Sequence, residues 1–305
     1  MTPFEVLPHD LEKAIKTIAD ANLDVLIFCD IGMFDPVYFI AHCRLAKIQI
    51  NTWGHSSSSG IDTIDYFISS RYYETNNAQR FYREKLILCD SLSTCYINPR
   101  SRYNTQQTLD RKAFALPSDS TIYTCLQSTY KLSPIFLDLV RDLLEADSTA
   151  HLVFLNGEDM KAVMKRFDDF PHRITLSPQL PHKKYLELMA LSDVVLDPYP
   201  VGGCNSSLEA FSLDKCVVTW PTELLNGRFT QGFYQKMGID KPPIAHNKSE
   251  YVYWALHLGK NIHERRRLSD SIHHAKHHLF SEVDSCTEWA SLLRHLFITH
   301  RNQTI

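Results

Sequence analysis

The chain has 305 residues, 44% of them apolar and 22% charged, and a formal net charge of −3. This length and composition allow one large core or two of average size, and we expect two lobes. The small net charge gives no reason to expect a nucleic-acid partner. No apolar run reaches the roughly 18 residues of a membrane span, and no basic start leads into an apolar leader, so we expect a cytoplasmic protein.

The eight cysteines form no Cys-x-x-Cys pair, and most of them lie inside apolar segments. Small buried thiols in a reducing compartment explain this distribution better than a disulfide framework or a zinc site does. We therefore expect neither disulfides nor a bound metal.

The first part of the chain predicts an alternation of helices and strands. Residues 8–21 have the apolar spacing of an amphipathic helix, and residues 25–28 form the apolar run of a buried strand. The predicted elements that follow are a helix at 36–43 and strands at 48–53, 66–69 and 86–89. Such an alternation is typical of a doubly wound α/β sheet.

Residues 90–118 are rich in Ser, Asn, Arg, Pro and Gln and have weak periodicity, so we expect the crossing between lobes there. A second alternation follows, with strands predicted at 121–126, 151–155, 173–176, 194–197 and 216–220 and helices at 134–146, 158–167, 182–192, 206–213 and 227–237. Residues 249–278 and 282–299 are predicted as two closing helices. The expected domains are residues 1–115, 116–280 and a closing segment, 281–305.

Residues 191–213 combine a buried strand, a glycine turn and the start of a helix. Gly202 and Gly203 let the backbone turn where a Cβ would obstruct it. The first helical turn holds three polar residues, Asn205, Ser206 and Ser207. Helix polarity and unpaired backbone N–H groups favour an anion there, and a pyrophosphate would fit. Glu209, one turn further, is placed to accept hydrogen bonds from ribose hydroxyls. On spacing alone, an ordinary strand-loop-helix junction with a serine cap is the alternative.

The loop from Gly54 to Gly60 follows the end of a predicted strand, where open parallel sheets place their ligands. Four serines between glycines are also what a flexible linker contains, so both interpretations stay open. His55 in this loop, Asp30 after the first strand and Asp35 are candidates for the base that accepts a proton or for the group that orients an acceptor, and a packed loop histidine is the alternative for His55.

Six collinear segments resemble glycosyltransferase family 41. They are IGMFDP at 31–36, RLAKIQINTWGHSSSSGIDTIDYFIS at 44–69, EKL at 84–86, STYKLSP at 128–134, LSDVVLDPYPVGGCNSSLEAFSL at 191–213 and GRFTQGFYQKMG at 227–238. The family contains the protein O-GlcNAc transferases, the SPINDLY-type O-fucosyltransferases and the cytoplasmic bacterial N-glucosyltransferases. The motifs IGMFDP, Gly54-His55 and GGCNSSLE lean towards the last branch.

This resemblance implies a GT-B type fold with two Rossmann-like lobes, the first of them truncated, and a closing segment that returns to the first lobe. It implies a metal-independent, inverting glycosyltransferase that moves a hexose or N-acetylhexosamine from UDP-glucose, UDP-GlcNAc or a related UDP-sugar to an Asn, Ser or Thr side chain of a protein. It implies no cofactor besides this donor substrate.

The resemblance also implies roles for individual residues. Lys131 matches the family lysine that contacts the donor phosphates, although a surface lysine beside a helix start is the alternative. The other residues expected at the donor are Gln127, Ser128, Tyr185, Gly203, Asn205, Ser206, Ser207 and Glu209. Lys131, His55 and Asp30 are expected to act in catalysis. The chain departs from its relatives at Ser56, where they have proline, and at His182, where they have lysine.

Two further functions are compatible with the residues: a glycosyltransferase with a glycan or small-molecule acceptor, and a non-catalytic subunit of a larger transferase. The family segments that precede IGMFDP have no counterpart in the 30 residues before it. We therefore expect a shortened acceptor lobe, or a second copy or partner subunit that completes it.

Overall fold

A computed structural model describes residues 6–102, 110–280 and 283–303. The chain divides into two compact units, the first made of Met1–Cys95 and Val283–Ile305 and the second of Tyr96–Glu282. Each unit is built on one parallel sheet. Within the described ranges, no helix combines the length and the apolar character that a membrane crossing requires.

The described residues form nine strands and ten α-helices. The strands are β1 (Leu23–Phe28), β2 (Ala46–Thr52), β3 (Tyr66–Ser70), β4 (Lys85–Cys89), β5 (Thr121–Cys125), β6 (Ala150–Leu155), β7 (Ile174–Ser177), β8 (Val194–Leu196) and β9 (Val217–Val218). The helices are α1 (Leu11–Asp20), α2 (Asp35–Ala41), α3 (Pro134–Ala146), α4 (Met160–Met164), α5 (His182–Ala190), α6 (Asn205–Ser212), α7 (Phe229–Met237), α8 (Lys248–Lys260), α9 (Ile262–Ala275) and α10 (Val283–Gln303).

The first unit contains a four-stranded sheet in the order β1-β2-β3-β4. Every crossover among these strands steps in one direction, so the strand order does not reverse in the described part of this sheet. Its face towards α10 carries Ile48, Ile50 and Ile68, and Leu296 of the helix is buried against them. Glu288 of the same helix accepts hydrogen bonds from the backbone N–H of Asp90 at 2.6 Å and of Ser91 at 2.9 Å.

The second unit contains a five-stranded parallel sheet in the order β7-β6-β5-β8-β9. The chain starts this sheet at β5, adds β6 and β7 on one side and then adds β8 and β9 on the other. The strand order therefore reverses between β5 and β8. In open α/β sheets, ligands bind in the crevice outside the carboxyl ends of the strands at such a reversal.

Local signals explain why α3 forms where the sequence predicts it. Ser133 caps the helix by accepting a hydrogen bond from the backbone N–H of Phe136, and Pro134 fills the first helical position. The side of the helix that faces the sheet buries Phe136, Leu137, Leu139, Val140, Leu143 and Leu144. This stripe is a core face, as its 3.6-residue spacing predicts.

The prediction of one helix over 249–278 is wrong, because α8 and α9 are separated at Asn261. The backbone of Asn261 is extended, with φ −105° and ψ 90°, and its side chain accepts a hydrogen bond from the N–H of Glu264. Asparagine is a strong N-cap residue, so it ends one helix and starts the next. The structure also shortens the strand predicted at 216–220 to Val217–Val218 and the helix predicted at 158–167 to Met160–Met164, with a 3-10 turn after it.

The compact units divide between Cys95 and Tyr96, whereas the sequence places the end of the first lobe at residue 115. Two ion pairs connect the intervening residues to the second unit: Arg100 with Asp214 at 3.3 Å, and Arg111 with Asp193 at 3.1 Å. These contacts bridge more than 80 positions of sequence, so the weak local pattern of residues 90–118 does not reveal them.

Candidate functional site

Two loops of the second unit meet at the carboxyl ends of β5 and β8. The two strands are direct neighbours, with Thr124 of β5 opposite Val195 of β8. The loop after β5 contains Gln127 and a 3-10 turn over Thr129–Lys131. The loop after β8 leads into α6. Both loops lie where the strand order reverses.

Lys131 connects these two loops. Its Nζ donates hydrogen bonds to the carbonyl oxygen of Gly202 at 2.9 Å and to Oε1 of Gln127 at 3.2 Å. The amide of Gln127 in turn donates to Oγ of Ser206 in the first turn of α6. The ammonium group and the start of α6, predicted as parts of one anion site, therefore lie together.

The start of α6 has no side-chain cap. Its N-cap residue, Cys204, makes no side-chain hydrogen bond to the helix, whereas Ser133 caps α3. Ser207 is buried and its Oγ lies 2.8 Å from Oγ1 of Thr230, while Asn205 is exposed. The first N–H groups of an uncapped helix are free to bind an anion.

Glycine is needed at positions 202 and 203 because there is no space for a side chain, and not because of an unusual backbone conformation. A Cβ on Gly202 would lie 2.9 Å from Oδ2 of Asp197, and one on Gly203 would lie 2.6 Å from Nε2 of Gln127. A larger residue would therefore displace the Asp197 carboxylate at position 202, and the Gln127 amide and the Ser206 hydroxyl at position 203.

Glu209 lies one turn into α6 and is 8% exposed. His182 of α5 is its partner, with Nε2 at 2.7 Å from Oε1, and the ring of Tyr185 stacks beside His182 at a centroid distance of 6.3 Å. Burial raises the pKa of the Glu209 carboxyl above its ordinary 4.5, while hydrogen bonds from His182 and Tyr185 oppose this shift. Burial also raises the pKa of Tyr185 well above its usual range, with Glu209 adding to it.

The His182–Glu209 pair was not anticipated from the sequence, which singles out His182 only as a departure from a family lysine. His182 is the first residue of α5 and Glu209 lies one turn into α6, and β8 is the strand between these two helices in the chain. Without the strand order, nothing in the sequence places these two helices side by side.

Asp197 is a second functional candidate that the sequence did not single out. It follows β8 directly, is 3% exposed, and its carboxylate accepts hydrogen bonds from the N–H of Gly203 at 2.6 Å and from Oγ1 of Thr219 at 2.8 Å. Burial raises the pKa of this carboxyl above its ordinary 3.8, and the hydrogen bonds and the charge of Lys131 oppose the shift. An acidic residue after an apolar strand run was the available signal.

A cavity of about 920 Å³ adjoins this cluster on the side of β6. Gln127 belongs to both the cluster and the cavity wall, and Ser128, Asn156, Glu158 and Gln179 provide further polar groups in that wall. Its volume lies in the range of small-molecule and cofactor sites, which is roughly 300–1,000 Å³.

His55 and Asp30 lie in the first unit, after the carboxyl ends of β2 and β1. The ring of His55 packs on Gly32, where a Cβ would lie 3.0 Å from Cδ2 of the imidazole. His55 and Asp30 therefore follow two adjacent strands of the first sheet and belong to a different unit from Lys131. Their expected catalytic roles stay predictions.

The loop from Gly54 to Gly60, called the serine loop below, is held in place by Glu84. This carboxylate is 2% exposed and accepts hydrogen bonds from Oγ of Ser58 at 2.6 Å and from the backbone N–H of Ser59 at 2.8 Å. A flexible linker would not be fixed in this way, so the structure favours an ordered loop. Glu84 belongs to the EKL segment, and this contact gives that segment a physical role.

Within the described residues, no three His, Cys, Asp or Glu side chains are grouped as metal ligands. No disulfide joins any of the eight cysteines, all of which lie in the described ranges.

Comparison with known proteins gives one family match. The model of Glycosyl transferase family 41 matches residues 101–291. The match covers the sheet of the second unit and the whole cluster around Lys131. The resemblance inferred from the six sequence segments is thereby confirmed.

Two curated relatives are similar over most of this chain. The UDP-glucose:protein N-beta-glucosyltransferase of Actinobacillus pleuropneumoniae serotype 5b is 23% identical over 261 residues, which is 83% of this chain and 41% of the relative. The probable UDP-N-acetylglucosamine–peptide N-acetylglucosaminyltransferase SEC of Arabidopsis thaliana is 23% identical over 229 residues, which is 71% of this chain and 23% of the relative. The chain thus spans well under half the length of these relatives.

Solved structures show the same fold. An O-GlcNAc transferase mutant from Thermobaculum terrenum superposes with a TM-score of 0.79 at 19% identity, covering 98% of this chain and 57% of that one. Anabaena HepE in complex with UDP and glucose gives a TM-score of 0.65 at 9% identity, covering 93% and 81% of the two chains. The expected α/β fold of GT-B type, with two parallel-sheet lobes, is confirmed.

Proposed function

Because the chain belongs to glycosyl transferase family 41, we propose that it is a metal-independent, inverting glycosyltransferase with a UDP-sugar donor and a protein acceptor. The transferred group is a hexose or N-acetylhexosamine, and the acceptor is an Asn, Ser or Thr side chain. In this reaction the acceptor atom bonds to the anomeric carbon as the bond to the β-phosphate oxygen breaks. UDP leaves, and the acceptor proton passes to a base.

The observation that carries this proposal is the contact of Lys131 with the loop that starts α6. The leaving UDP gains negative charge as the glycosidic bond breaks, and fixed positive charge at that point lowers the barrier. Lys131 supplies a compact cation, and the uncapped first turn of α6 supplies backbone N–H groups. Together they provide this stabilisation without a metal ion.

The neighbouring groups support a nucleotide at the same place. Glu209, buried beside His182 and Tyr185, is suited to accept hydrogen bonds from the ribose hydroxyls. The adjoining cavity of about 920 Å³ has room for further parts of the donor. His55 or Asp30 of the first unit is proposed as the base or as the group that orients the acceptor.

The relatives support a protein acceptor. The Actinobacillus protein is named for UDP-glucose and a protein acceptor, and the Arabidopsis protein for UDP-N-acetylglucosamine and a peptide. Because this chain spans less than half of either, both substrates come to it as a proposal. A cytoplasmic location is part of the same proposal.

UDP release from UDP-glucose and UDP-GlcNAc, measured with and without EDTA, tests the donor and the metal independence. We expect turnover in EDTA, and we expect Lys131→Ala to lower it about 10²-fold, as loss of a charge-stabilising group does. Lys165→Ala, which changes an exposed lysine in the 3-10 turn after α4, is the matched control and should keep full turnover. A chain that binds no UDP at millimolar concentration would overturn the proposal.

Intact-mass analysis of candidate acceptors tests the second substrate. A hexose or N-acetylhexosamine mass added to a polypeptide supports a protein acceptor, and addition only to free glycans would replace it with a glycan acceptor. UDP binding without any turnover would instead favour the non-catalytic subunit.

A further inference from the structure

Asp197 is a buried carboxylate that the proposed reaction does not use directly. It is 3% exposed and lies between the end of β8 and the glycine turn. Its backbone N–H donates to the carbonyl of Val218 at 2.9 Å, and its carbonyl accepts from the hydroxyl of Tyr251 at 2.9 Å. The main chain of this residue is therefore fixed on two sides, and its carboxylate points at the turn.

One peptide group is held from both ends by two charged side chains. Oδ1 of Asp197 accepts a hydrogen bond from the N–H of Gly203 at 2.6 Å. Nζ of Lys131 donates to the carbonyl oxygen of Gly202 at 2.9 Å. The Gly202 carbonyl and the Gly203 N–H belong to the same planar peptide bond, and they point in opposite directions across it. The carboxylate and the ammonium therefore act on opposite ends of one rigid unit.

We propose that Asp197 is a positioning residue that sets the orientation of Lys131 through the Gly202–Gly203 peptide group. This inference rests on the proposed function, in which Lys131 contacts the donor phosphates. A carboxylate that binds the N–H polarises the peptide, so its carbonyl becomes a stronger acceptor for the ammonium group. Asp197 thereby holds the lysine beside the start of α6 and does not touch the substrate.

The surroundings of Asp197 fit a fixed orientation. Thr219, the residue after β9, donates from Oγ1 to Oδ2 at 2.8 Å, which leaves Oδ1 for Gly203. A Cβ on Gly202 would come within 2.9 Å of the carboxylate, so the turn lies directly on it. Burial raises the pKa of Asp197, and the charge of Lys131 is among the groups that oppose this shift, so the two side chains are also linked electrostatically.

A double-mutant cycle on UDP affinity distinguishes positioning from a structural role. Asp197→Asn keeps the shape but removes the charge, and it should raise the Kd for UDP about tenfold in the wild-type background. In the Lys131→Ala background the same change should alter the Kd by less than about twofold, because its effect passes through the lysine. Equal fold-changes in both backgrounds would mean a structural role only and would overturn the proposal.

Asp193→Asn is the matched control, because Asp193 lies at the opposite end of β8 and pairs with Arg111 and Arg265. It should affect UDP affinity equally in both backgrounds. If Asp197→Asn does not fold, Thr219→Val replaces it. That change removes one of the two threonine hydroxyls that bind the Asp197 carboxylate, the other being that of Thr230, and the proposal requires its effect on UDP affinity to vanish in the Lys131→Ala background.

A ligand-free measurement decides the inference even if the protein binds no UDP. In protein labelled with ¹⁵N-glycine, the amide proton of Gly203 should shift in Asp197→Asn and also in Lys131→Ala, because both side chains act on its peptide group. If the Gly203 amide proton does not shift in Lys131→Ala, the positioning role is overturned. Absence of UDP binding, by contrast, would overturn only the proposed function.

Discussion

Lys131 differs from Lys276, another lysine of the second unit, in the groups that it contacts. Its two hydrogen-bond acceptors, the Gly202 carbonyl and the Gln127 amide, are both uncharged. Lys276, in contrast, pairs with the carboxylate of Asp214 at 2.5 Å. A lysine whose acceptors are uncharged attracts a bound anion with its whole positive charge. A neighbouring carboxylate, by contrast, cancels most of the attraction that a paired lysine would exert on an anion. This difference, together with its position beside the start of α6, makes Lys131 the candidate for the diphosphate.

Glu209 predicts a pH dependence of nucleoside binding. The ionised carboxylate accepts hydrogen bonds from ribose hydroxyls, and burial raises its pKa above 4.5. As the pH falls through this raised pKa, Glu209 takes up a proton, so the affinity for uridine should fall by about tenfold. The fall should begin at a higher pH than an ordinary glutamate would give. Uridine is the suitable probe in calorimetry, because it has no phosphate that titrates in the same range.

Two variants separate Glu209 from the titratable groups that face it, His182 and Tyr185. Glu209→Gln should bind uridine more weakly and should lose the acid-side dependence. His182→Gln should retain that dependence, because the carboxylate is still present. A pH profile that survives in Glu209→Gln and disappears in His182→Gln would assign the effect to the imidazole instead.

At the scale of elements, the serine loop of the first unit depends on one buried side chain. Glu84→Ala would leave the hydroxyls of Ser58 and Ser59 and the N–H of Ser59 without their acceptor. We expect a loss of about 2 kcal/mol in the free energy of unfolding, because an unsatisfied buried group costs about 1–3 kcal/mol and these serine groups are half-buried. Urea denaturation measures the loss, and hydrogen exchange at Ser59 shows whether the loop opens. Glu12→Ala, at an exposed position of α1, is the control and should change neither the free energy of unfolding nor the exchange at Ser59.

Two glycines of this loop, Gly54 and Gly60, predict losses of different size and cause for the same substitution. A Cβ on Gly54 would overlap the carbonyl oxygen of Cys29 after β1, so Gly54→Ala should shift the loop away from that strand. Gly60 has φ +68°, and a Cβ there would meet no atom within 4 Å, so Gly60→Ala should cost only the left-handed strain of about 1–2 kcal/mol. Thermal unfolding of both variants compares them. A larger loss in Gly60→Ala would contradict the close approach at Cys29.

At the scale of the whole molecule, α10 belongs to the first unit although it lies at the other end of the sequence from that unit's sheet. Leu296 is 7% exposed and packs with Ile48, Ile50 and Ile68, while Ile298 on the same helix is 51% exposed. Leu296→Ala should cost about 3 kcal/mol, as a large-to-small change in a core does. Ile298→Ala should stay within about 0.5 kcal/mol, as surface changes usually do.

Hydrogen exchange measured segment by segment tests the division into units. Leu296→Ala should speed exchange in β1 and β2 and leave β5 and β6 unchanged, because the last two strands belong to the second unit. The affinity for UDP should also stay the same. Faster exchange in β5 would mean that the second unit depends on α10 for its stability.

The sequence by itself determined most of the elements and the family. The helix predicted at 134–146 is found as α3 (Pro134–Ala146), and the predicted strands recur within a few residues, although β9 is short. These predictions succeed because helix and strand periods are local properties of the chain. The polar residues of the α6 start and Lys131 were also predicted as one anion site from the motifs, and their roles at a donor stay predictions.

Only the tertiary structure decided which side chains act on one another. Lys131 and Gly202 are 71 residues apart, His182 and Glu209 are 27 apart, and Asp197 reaches both Gly203 and Thr219. The contact of Lys131 with Gly202 depends on the pairing of β8 with β5, and the contact of Asp197 with Thr219 depends on the pairing of β8 with β9, whereas β7, which precedes β8 in the chain, lies at the far edge of the sheet. Strand order is set by packing of the whole sheet and leaves no local pattern in the residues. For this reason the site could be located from the sequence, whereas its hydrogen-bond network could not.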